Sequence, residues 1–409
     1  MKRRLAISLL LLIEIFLSQC NRAKKIELDL SKPLGALASG DFFGDHVPRV
    51  GAEIIAVGSN CSSFSSIDGK GWTGHEGSTT LFSECNTGAV LYDIKFGNGL
   101  WVAVGGDSAP SSIAGEGCGI WTSPDGLTWT RRSCPRNESG GVSTLKSISV
   151  GNENGKTRFW AVGRSYLQSE RNYTYLIYSN DGVTWFHQQA FESNSYPSCN
   201  LHFYKDHFYC MDGNYSRIHR SLSFSDTHWS GSLISTPGSF YENSIENLGF
   251  LKTDPSGRLL AFGNADPDRA HTINAGISIF NESDSSWTTH FSNIESAQFG
   301  VALSPERFVI ASQNCRIDYS EDGGNTWVGG PSQRMSFCTT YPSHWTHLEY
   351  HEYLKLFVTL GFRETADGGP GLSTLFSISD SGLPEDWTIA DSWFSEASTE
   401  VKSIGVKPL

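Results

Sequence analysis

Arginines close to the ends of strand-like segments are the residues of this chain best suited to recognition. Arg164, Arg217, Arg269 and Arg363 stand where apolar alternation gives way to stretches rich in Gly, Ser and Asp. A guanidinium is a rigid fork of donors that matches a carboxylate or phosphate bidentately, so converging arginines make an anion clamp. Arg164, Arg269 and Arg363, with Tyr173 as an aromatic anchor, are the candidate ligand-binding set. Asp266-Pro-Asp268 brings two carboxylates together, fewer than a hard cation takes, and reads as turn chemistry. No G-x-S-x-G, H-E-x-x-H or P-loop pattern is present. The expectation is binding without turnover, with no catalytic residue, no metal and no cofactor.

The elements that would position these side chains are short strands. The 409 residues include 42 Gly, 24 Phe, 14 Tyr and 12 Trp, and only 18% are charged. Abundant Gly and aromatics with few charges favour many strands joined by tight turns over a helical bundle or a disordered chain. The net charge of −12 is a poor match for a phosphate backbone, so nucleic acid is excluded as a partner.

A pattern Ser-x-Asp-Gly-x-Thr-Trp recurs. It is clearest at Asp125, Asp181 and Asp322, and weaker at Asp68, Asp226, Asp284 and Asp380. The Trp residues that close it are Trp72, Trp129, Trp185, Trp229, Trp287, Trp327 and Trp387, 40 to 60 residues apart. Before each pattern lies an alternating strand, a turn and a second strand, as in Leu91–Gly105. Each period therefore holds four strands, A to D, with the pattern as the C–D turn. There the Asp and Ser oxygens accept backbone N–H groups and Gly supplies a positive φ. The first period lacks its A strand, and Glu400–Val406 at the C-terminus is available to fill the gap.

These motifs resemble the Asp-box (BNR) repeats of the sialidase-like β-propellers, over roughly residues 46–409. The resemblance implies an all-β propeller, and the seven repeats with the split first period make it seven four-stranded blades closed by the C-terminal strand, one more than the six of the sialidase family. It also implies that the boxes are structural and that ligands meet the face of the B–C and D–A loops. The expected loops there are 105–119, 163–175, 262–276 and 361–374. A sialidase would further need three Arg on a carboxylate, a Tyr nucleophile with a Glu helper, and an Asp acid/base. Tyr241-Glu242 could serve as the Tyr and Glu, but the Arg-Ile-Pro motif that opens sialidase domains is missing.

Eight cysteines other than Cys20 fall at repeated places in the period, and the repeat suggests the pairs Cys61–Cys85, Cys118–Cys134, Cys199–Cys210 and Cys315–Cys338. All eight would lie on the loop face, opposite the boxes. Disulfides fit an exported protein, and residues 1–19 read as an export signal: Lys2, Arg3 and Arg4, an apolar run from Leu5 to Leu17, then a polar stretch. Leu17-Ser18-Gln19-Cys20 resembles a bacterial lipobox, which implies lipidation at Cys20, a tether over 20–45 and attachment to an outer membrane or cell surface. The expected protein is a monomer that touches the membrane only through its lipid. It would bind or scaffold a protein or glycan. A glycoside hydrolase and an assembly factor for a membrane complex are the alternatives.

Overall fold

The computed structural model describes residues 51–75, 80–85, 88–107, 117–135, 142–166, 172–188, 199–212, 217–221, 233–234, 250–265, 274–295, 299–312, 315–330, 332–335, 337, 343–364, 372–394 and 401–409. The apolar alternation becomes antiparallel ladders. Strands β1 (Ile54–Gly58), β2 (Ser63–Ser66) and β3 (Thr73–His75) form the first sheet together with the last strand, β27 (Val401–Val406). The second sheet is β4 (Ala89–Gly97), β5 (Leu100–Asp107), β6 (Gly119–Ser123) and β7 (Thr130–Arg132). The third is β8 (Val142–Glu153), β9 (Lys156–Tyr166), β10 (Asn172–Ser179) and β11 (Phe186–Gln188), and the fourth is β12 (Cys199–Tyr204), β13 (His207–Asp212), β14 (Arg217–Arg220) and β15 (Leu233–Ile234). The fifth is β16 (Phe250–Thr253), β17 (Leu259–Ala265), β18 (Asn274–Asn281) and β19 (Ser286–Glu295). The sixth is β20 (Phe299–Leu303), β21 (Phe308–Ser312) and β22 (Ile317–Ser320), and the seventh is β23 (Ser343–His351), β24 (Leu356–Glu364), β25 (Leu372–Ser379) and β26 (Thr388–Phe394).

Tight hairpins join the first two strands of a sheet where the sequence supplies Asn-Gly. Asn98-Gly99 and Asn154-Gly155 have φ of 50° and 73°, and 50° and 72°, the left-handed pair that matches strand twist. One apolar cluster fills each gap between neighbouring sheets. Ile55 and Val57 meet Ile94 and Ala103, Val102 and Ile120 meet Ile148 and Phe159, and Trp160 and Leu176 meet Leu201 and Phe208. Tyr209 and Ile218 meet Leu251 and Leu259, Phe262 and Ile277 meet Val301 and Ile310, and Val309 and Ile317 meet Leu348 and Phe357. Val358 and Phe376 then meet Ile54, Phe64 and Trp72 of the first sheet. The series returns to its start, so the sheets close into a β-propeller, with the first strand of each period innermost.

At the closure, β27 pairs with β1 from Ile54↔Val406 to Gly58↔Val401. A buried polar triad locks this seam. Glu53 lies 3.3 Å from His351 Nε2 and 3.5 Å from Lys407 Nζ, and the Lys407 amide donates to the Glu53 carbonyl at 2.9 Å.

The outer strand of a period begins after the repeated Trp, at Thr73, Thr130 and Phe186, so the Trp belongs to the turn itself. One expectation is corrected. Seven four-stranded blades were expected; among the described residues six sheets have four strands and the sixth has three. Asp318 on β22 is fully buried. Its carboxylate occupies the place where a side chain at 329 would sit, with a Cβ there only 1.8 Å from Asp318 Oδ1. On either side of Gly329-Gly330 the described residues pair with β22 at isolated bridges, Tyr319 with Val328 and Arg316 with Arg334.

Candidate functional site

The repeated turns are committed to the fold. Ser123 Oγ accepts the Gly126 amide at 2.8 Å, Asp125 Oδ1 accepts the amides of Leu127 and Thr128 at 2.8 Å, and Trp129 Nε1 donates to the Gly126 carbonyl at 3.1 Å. Asp68 and Asp181 repeat this arrangement. At Asp322 an inserted Gly lengthens the turn by one residue and the same contacts re-form with Gly324, Thr326 and Trp327. The Thr326 hydroxyl and amide hold the Asp322 carboxyl down at about 2. The Gly71 amide chiefly lowers Asp68. For Asp125 and Asp181 burial pushes upward, but the turn amides and hydroxyls outweigh it.

Each such turn also presses its glycine on the preceding sheet. A Cβ on Gly126 would come within 2.5 Å of Ile55, on Gly69 within 2.5 Å of Leu356, and on Gly382 within 2.6 Å of Val309. Trp72 stacks on Phe376 of the neighbouring sheet at 3.9 Å. Two of the weaker copies differ from expectation. Asp284 accepts the amide and hydroxyl of Ser286 in a plain hairpin turn, and the box positions for the first Ser and the Gly hold other residues, Glu282 and Ser285. At Asp380 the Ser379 hydroxyl still accepts the Gly382 amide, but Ser381 turns to Asp386 in a short 3-10 turn, Pro384–Asp386. Asp226 lies outside the described residues.

The opposite ends of the inner strands share a second repeated feature. Four inner strands, consecutive around the ring, contain a one-residue bulge at the same level: Thr346 on β23, Lys402 on β27, Tyr92 on β4 and Lys146 on β8. The facing residue on the second strand is a glycine each time: Gly361, Gly58, Gly105 and Gly163. A Cβ on Gly105 would lie 2.1 Å from the Val90 carbonyl oxygen, and on Gly163 1.9 Å from that of Thr144. Only glycine lets the bulged backbone come so close.

Just below the bulges lies Asp93. Its oxygens accept the Ile148 amide at 2.9 Å, the Ser403 hydroxyl at 2.9 Å and the Ser147 hydroxyl at 3.3 Å, and Lys95 Nζ is 3.5 Å away. One carboxylate thus ties the first three sheets at the axis. Burial works against the charge of Lys95, but Asp93 and Glu349 outweigh it and hold its pKa above the usual value. Lys252 reaches from the fifth sheet to Glu349 on the seventh at 2.9 Å. It can do so because the inner strand between them offers Gly300 and Ala302. His202 bonds Thr253 Oγ1 through Nε2 at 2.8 Å. Burial, aided by Lys252 and Lys95, lowers it to about 3, and burial likewise lowers His347 to about 4.

The arginines expected in loops stand on strands. The stretch 163–175 contains the end of β9 and the start of β10, because the ladder continues beyond the apolar residues: Arg164 pairs with Thr174 and Tyr173 with Ser165. Arg363 pairs with Ser343 and Ser373. Arg164 and Arg363 follow the bulge-facing Gly163 and Gly361 by one and two residues, so the backbone brings these two near the bulged arc. Arg269, Tyr241 and Glu242 lie outside the described residues. Sequence reasoning missed Asp93, Lys95, Lys146, His202, Lys252, His347, Glu349 and Lys402. The signal that could have found them is the polar residue at alternate positions of otherwise apolar inner strands.

Disulfides Cys61–Cys85 and Cys118–Cys134 are formed. The first braces a loop that inserts Phe82 between Trp121 and Trp129 of the next sheet. Beside the second, the Tyr175 hydroxyl donates to the Pro135 carbonyl. Cys210 and Cys315 are also disulfide-bonded. The Cys199 side chain and Cys338, their expected partners, lie outside what is described, as do Cys20 and the whole of residues 1–50. Among the described residues no group of three His, Cys, Asp or Glu could hold a metal ion.

No protein-family model matches the chain, and no curated protein matches it. Solved structures do. The chain is similar to a GH93 α-L-arabinofuranosidase of Fusarium graminearum in complex with arabinobiose, with 14% identity over 67% of this chain and 88% of that one, TM-score 0.44. It is similar to a chain of a nidogen/laminin complex, with 8% identity over 87% and 98%, TM-score 0.42. It is also similar to YCF48 bound to a D1 peptide, with 15% identity over 68% and 90%, TM-score 0.33.

Proposed function

We propose that this chain is an exported, lipid-anchored propeller of Asp-box type whose loop face binds a protein or glycan. The three-stranded sheet is counted as its seventh blade, and Cys199–Cys210 and Cys315–Cys338 as its remaining disulfides. The observation that carries the reading is the division of labour between the two faces. The turn face spends its carboxylates and hydroxyls on its own backbone. The loop-face ends of the inner strands hold bulges, lysines and the backbone positions of Arg164 and Arg363, and disulfides brace the loops beside them. Loops ordered beforehand lose less entropy on recognition.

A hydrolase is not favoured. The two described carboxylates nearest the axis, Asp93 and Glu349, are already engaged by Lys95 and Lys252. The test is an array of glycans and envelope or host proteins probed with the soluble form beginning at Asn21. Ligands retained by the native protein and lost when Arg164, Arg269 and Arg363 are replaced together by Ala, with unchanged melting, are expected. Sugar release by the pure protein, abolished by Tyr241→Phe or Glu242→Gln, would establish the enzyme instead. For the anchor, metabolic fatty-acid labelling should mark the wild type and not Cys20→Ala; no label in either refutes lipidation.

A further inference from the structure

We propose that the turn tips of the first three sheets are a contact face for a lipid surface, with Ile67, Leu127, Val183 and Phe186 entering the headgroup region, so that the loop face points away from the membrane. The proposal rests on the lipid anchor proposed above and adds the face by which the anchored domain meets the bilayer.

The tips are built by the repeat. Ile67, Leu127, Val183 and Phe186 are 68%, 47%, 37% and 46% exposed. In these boxes Trp72, Trp129 and Trp185 are buried, and each Gly faces the preceding sheet. The variable positions are left outside: Ile67 before Asp68, Leu127 after Gly126 and Val183 after Gly182. Phe186 follows Trp185 at the start of β11 and stacks on Tyr178. The three sheets are neighbours in the ring, so these side chains stand on one stretch of its turn face. A single exposed aliphatic is ordinary on a protein surface; here adjacent repeats carry them at their turn tips. The backbone beneath suits a drier setting. Asp125 Oδ1 accepts the Leu127 and Thr128 amides, and Asp181 Oδ1 those of Val183 and Thr184. These amides need no water when the tip enters the interface.

The chain joins the ring at the same place. The Ala52 amide donates to the Asp125 carbonyl at 2.8 Å, and a Cβ on Gly51 would lie 2.3 Å from that oxygen. Gly51 is thus held against the turn that carries Leu127, and residues 21–50 separate it from Cys20. That length spans at most ~100 Å. A lipid on Cys20 would therefore turn the encounter of this face with the bilayer into an intramolecular event at high effective concentration. Four apolar side chains are too few to hold a free protein on a membrane, but as a second contact beside a lipid chain they orient one. The insertion is shallow, because the Asp68, Asp125 and Asp181 carboxylates belong to the same turns and stay at headgroup level.

The chain beginning at Asn21, with an N-terminal polyhistidine tag, would be held on phosphatidylcholine vesicles containing a nickel-chelating lipid, which makes the test independent of lipidation. Benzoylphenylalanine in place of Leu127, Val183 or Phe186 should cross-link to the acyl chains on irradiation. In place of Ser133, exposed beside Cys134 at the loop-face end, it should not. Ile67→Ser, Leu127→Ser and Val183→Ser together should cut cross-linking from position 186 at least about tenfold with an unchanged melting temperature. If the triple variant misfolds, the comparison of positions 127, 183 and 133 in the otherwise native chain still decides. Equal yields at all positions, a yield highest at 133, or no lipid adduct at any position overturns the proposal. So does a protein adduct at 127 and 183 without a lipid adduct when native envelope membranes replace the vesicles. Fatty-acid labelling of Cys20 with no adduct at the turn tips would sink the contact face alone. Adducts at the tips with no label on Cys20 would sink the anchor alone.

Discussion

Asp322 shows how a single carboxylate earns its place in this fold. It accepts the Thr326 amide at 2.8 Å and the Thr326 and Ser320 hydroxyls at 2.6 and 2.8 Å. Asp322→Ala removes these together, and with about 1 kcal/mol net per bond partly recovered by water the expected loss is roughly 1–2 kcal/mol. Chemical denaturation measures it, and ligand affinity should not change. The acid limb has a sign. With a folded value of about 2 against roughly 4 unfolded, the Asp322 contribution is full above about pH 4 and lost as pH falls towards 2. His202 and His347 act at higher pH. Their folded values of about 3 and about 4 lie below the ~6.5 of an unfolded chain. The unfolded chain then binds protons that the folded one does not, so stability falls as pH drops from about 6.5 towards those values. Melting temperatures should decline over that window, and His202→Gln should flatten the slope.

At the scale of elements, the seam between β27, β1 and the β23–β24 turn depends on charge held out of water. Glu53, His351 and Lys407 are 3%, 0% and 6% exposed, and the Leu354 amide donates to His351 Nδ1 at 3.3 Å. Removing one member of a buried ionic group strands the others, which costs about 3–5 kcal/mol. Glu53→Ala should lower the unfolding free energy by that order without changing which strands pair, as urea titration with hydrogen exchange would show. The disulfide loops are a second case. Cys118→Ser should free Cys134, detected by thiol labelling, and cost about 2–5 kcal/mol. Thiol release from Cys61 or Cys85 instead would contradict the assigned pairing.

For the whole molecule, closure gives β1 a partner on its inner side and joins the last sheet to the first. Val401 and Ile404 of β27 belong to the apolar cluster that joins the last sheet to the first. Deleting residues 401–409 removes the inner strand of the first sheet and leaves β1 as an unpaired edge facing the axis. The expected product unfolds without a single cooperative transition and self-associates, readable by calorimetry and light scattering. A truncated chain that stays monomeric with an unchanged melting temperature would show that the ring does not need its last strand.

Local chemistry was legible without any tertiary information. The Ser-Asp-Gly-Trp turns at Asp68, Asp125, Asp181 and Asp322 and the Asn-Gly hairpins follow from short-range spacing, because turn bonds and strand alternation are decided within a few residues, while the completing strand near residues 401–406 and two disulfides follow from the repeat along the chain. Three things were decided elsewhere. Among the described residues the sixth sheet has three strands, and its Asp318 is buried against Gly329, a contact between residues that no local pattern encodes. Arg164, Tyr173 and Arg363 stand on strands because ladder hydrogen bonds extend the pairing past the point where apolar alternation ends. The axial lysines, histidines and carboxylates meet because inner strands far apart in the chain converge on one axis. The distance across that axis is set by ring closure, which no local pattern encodes.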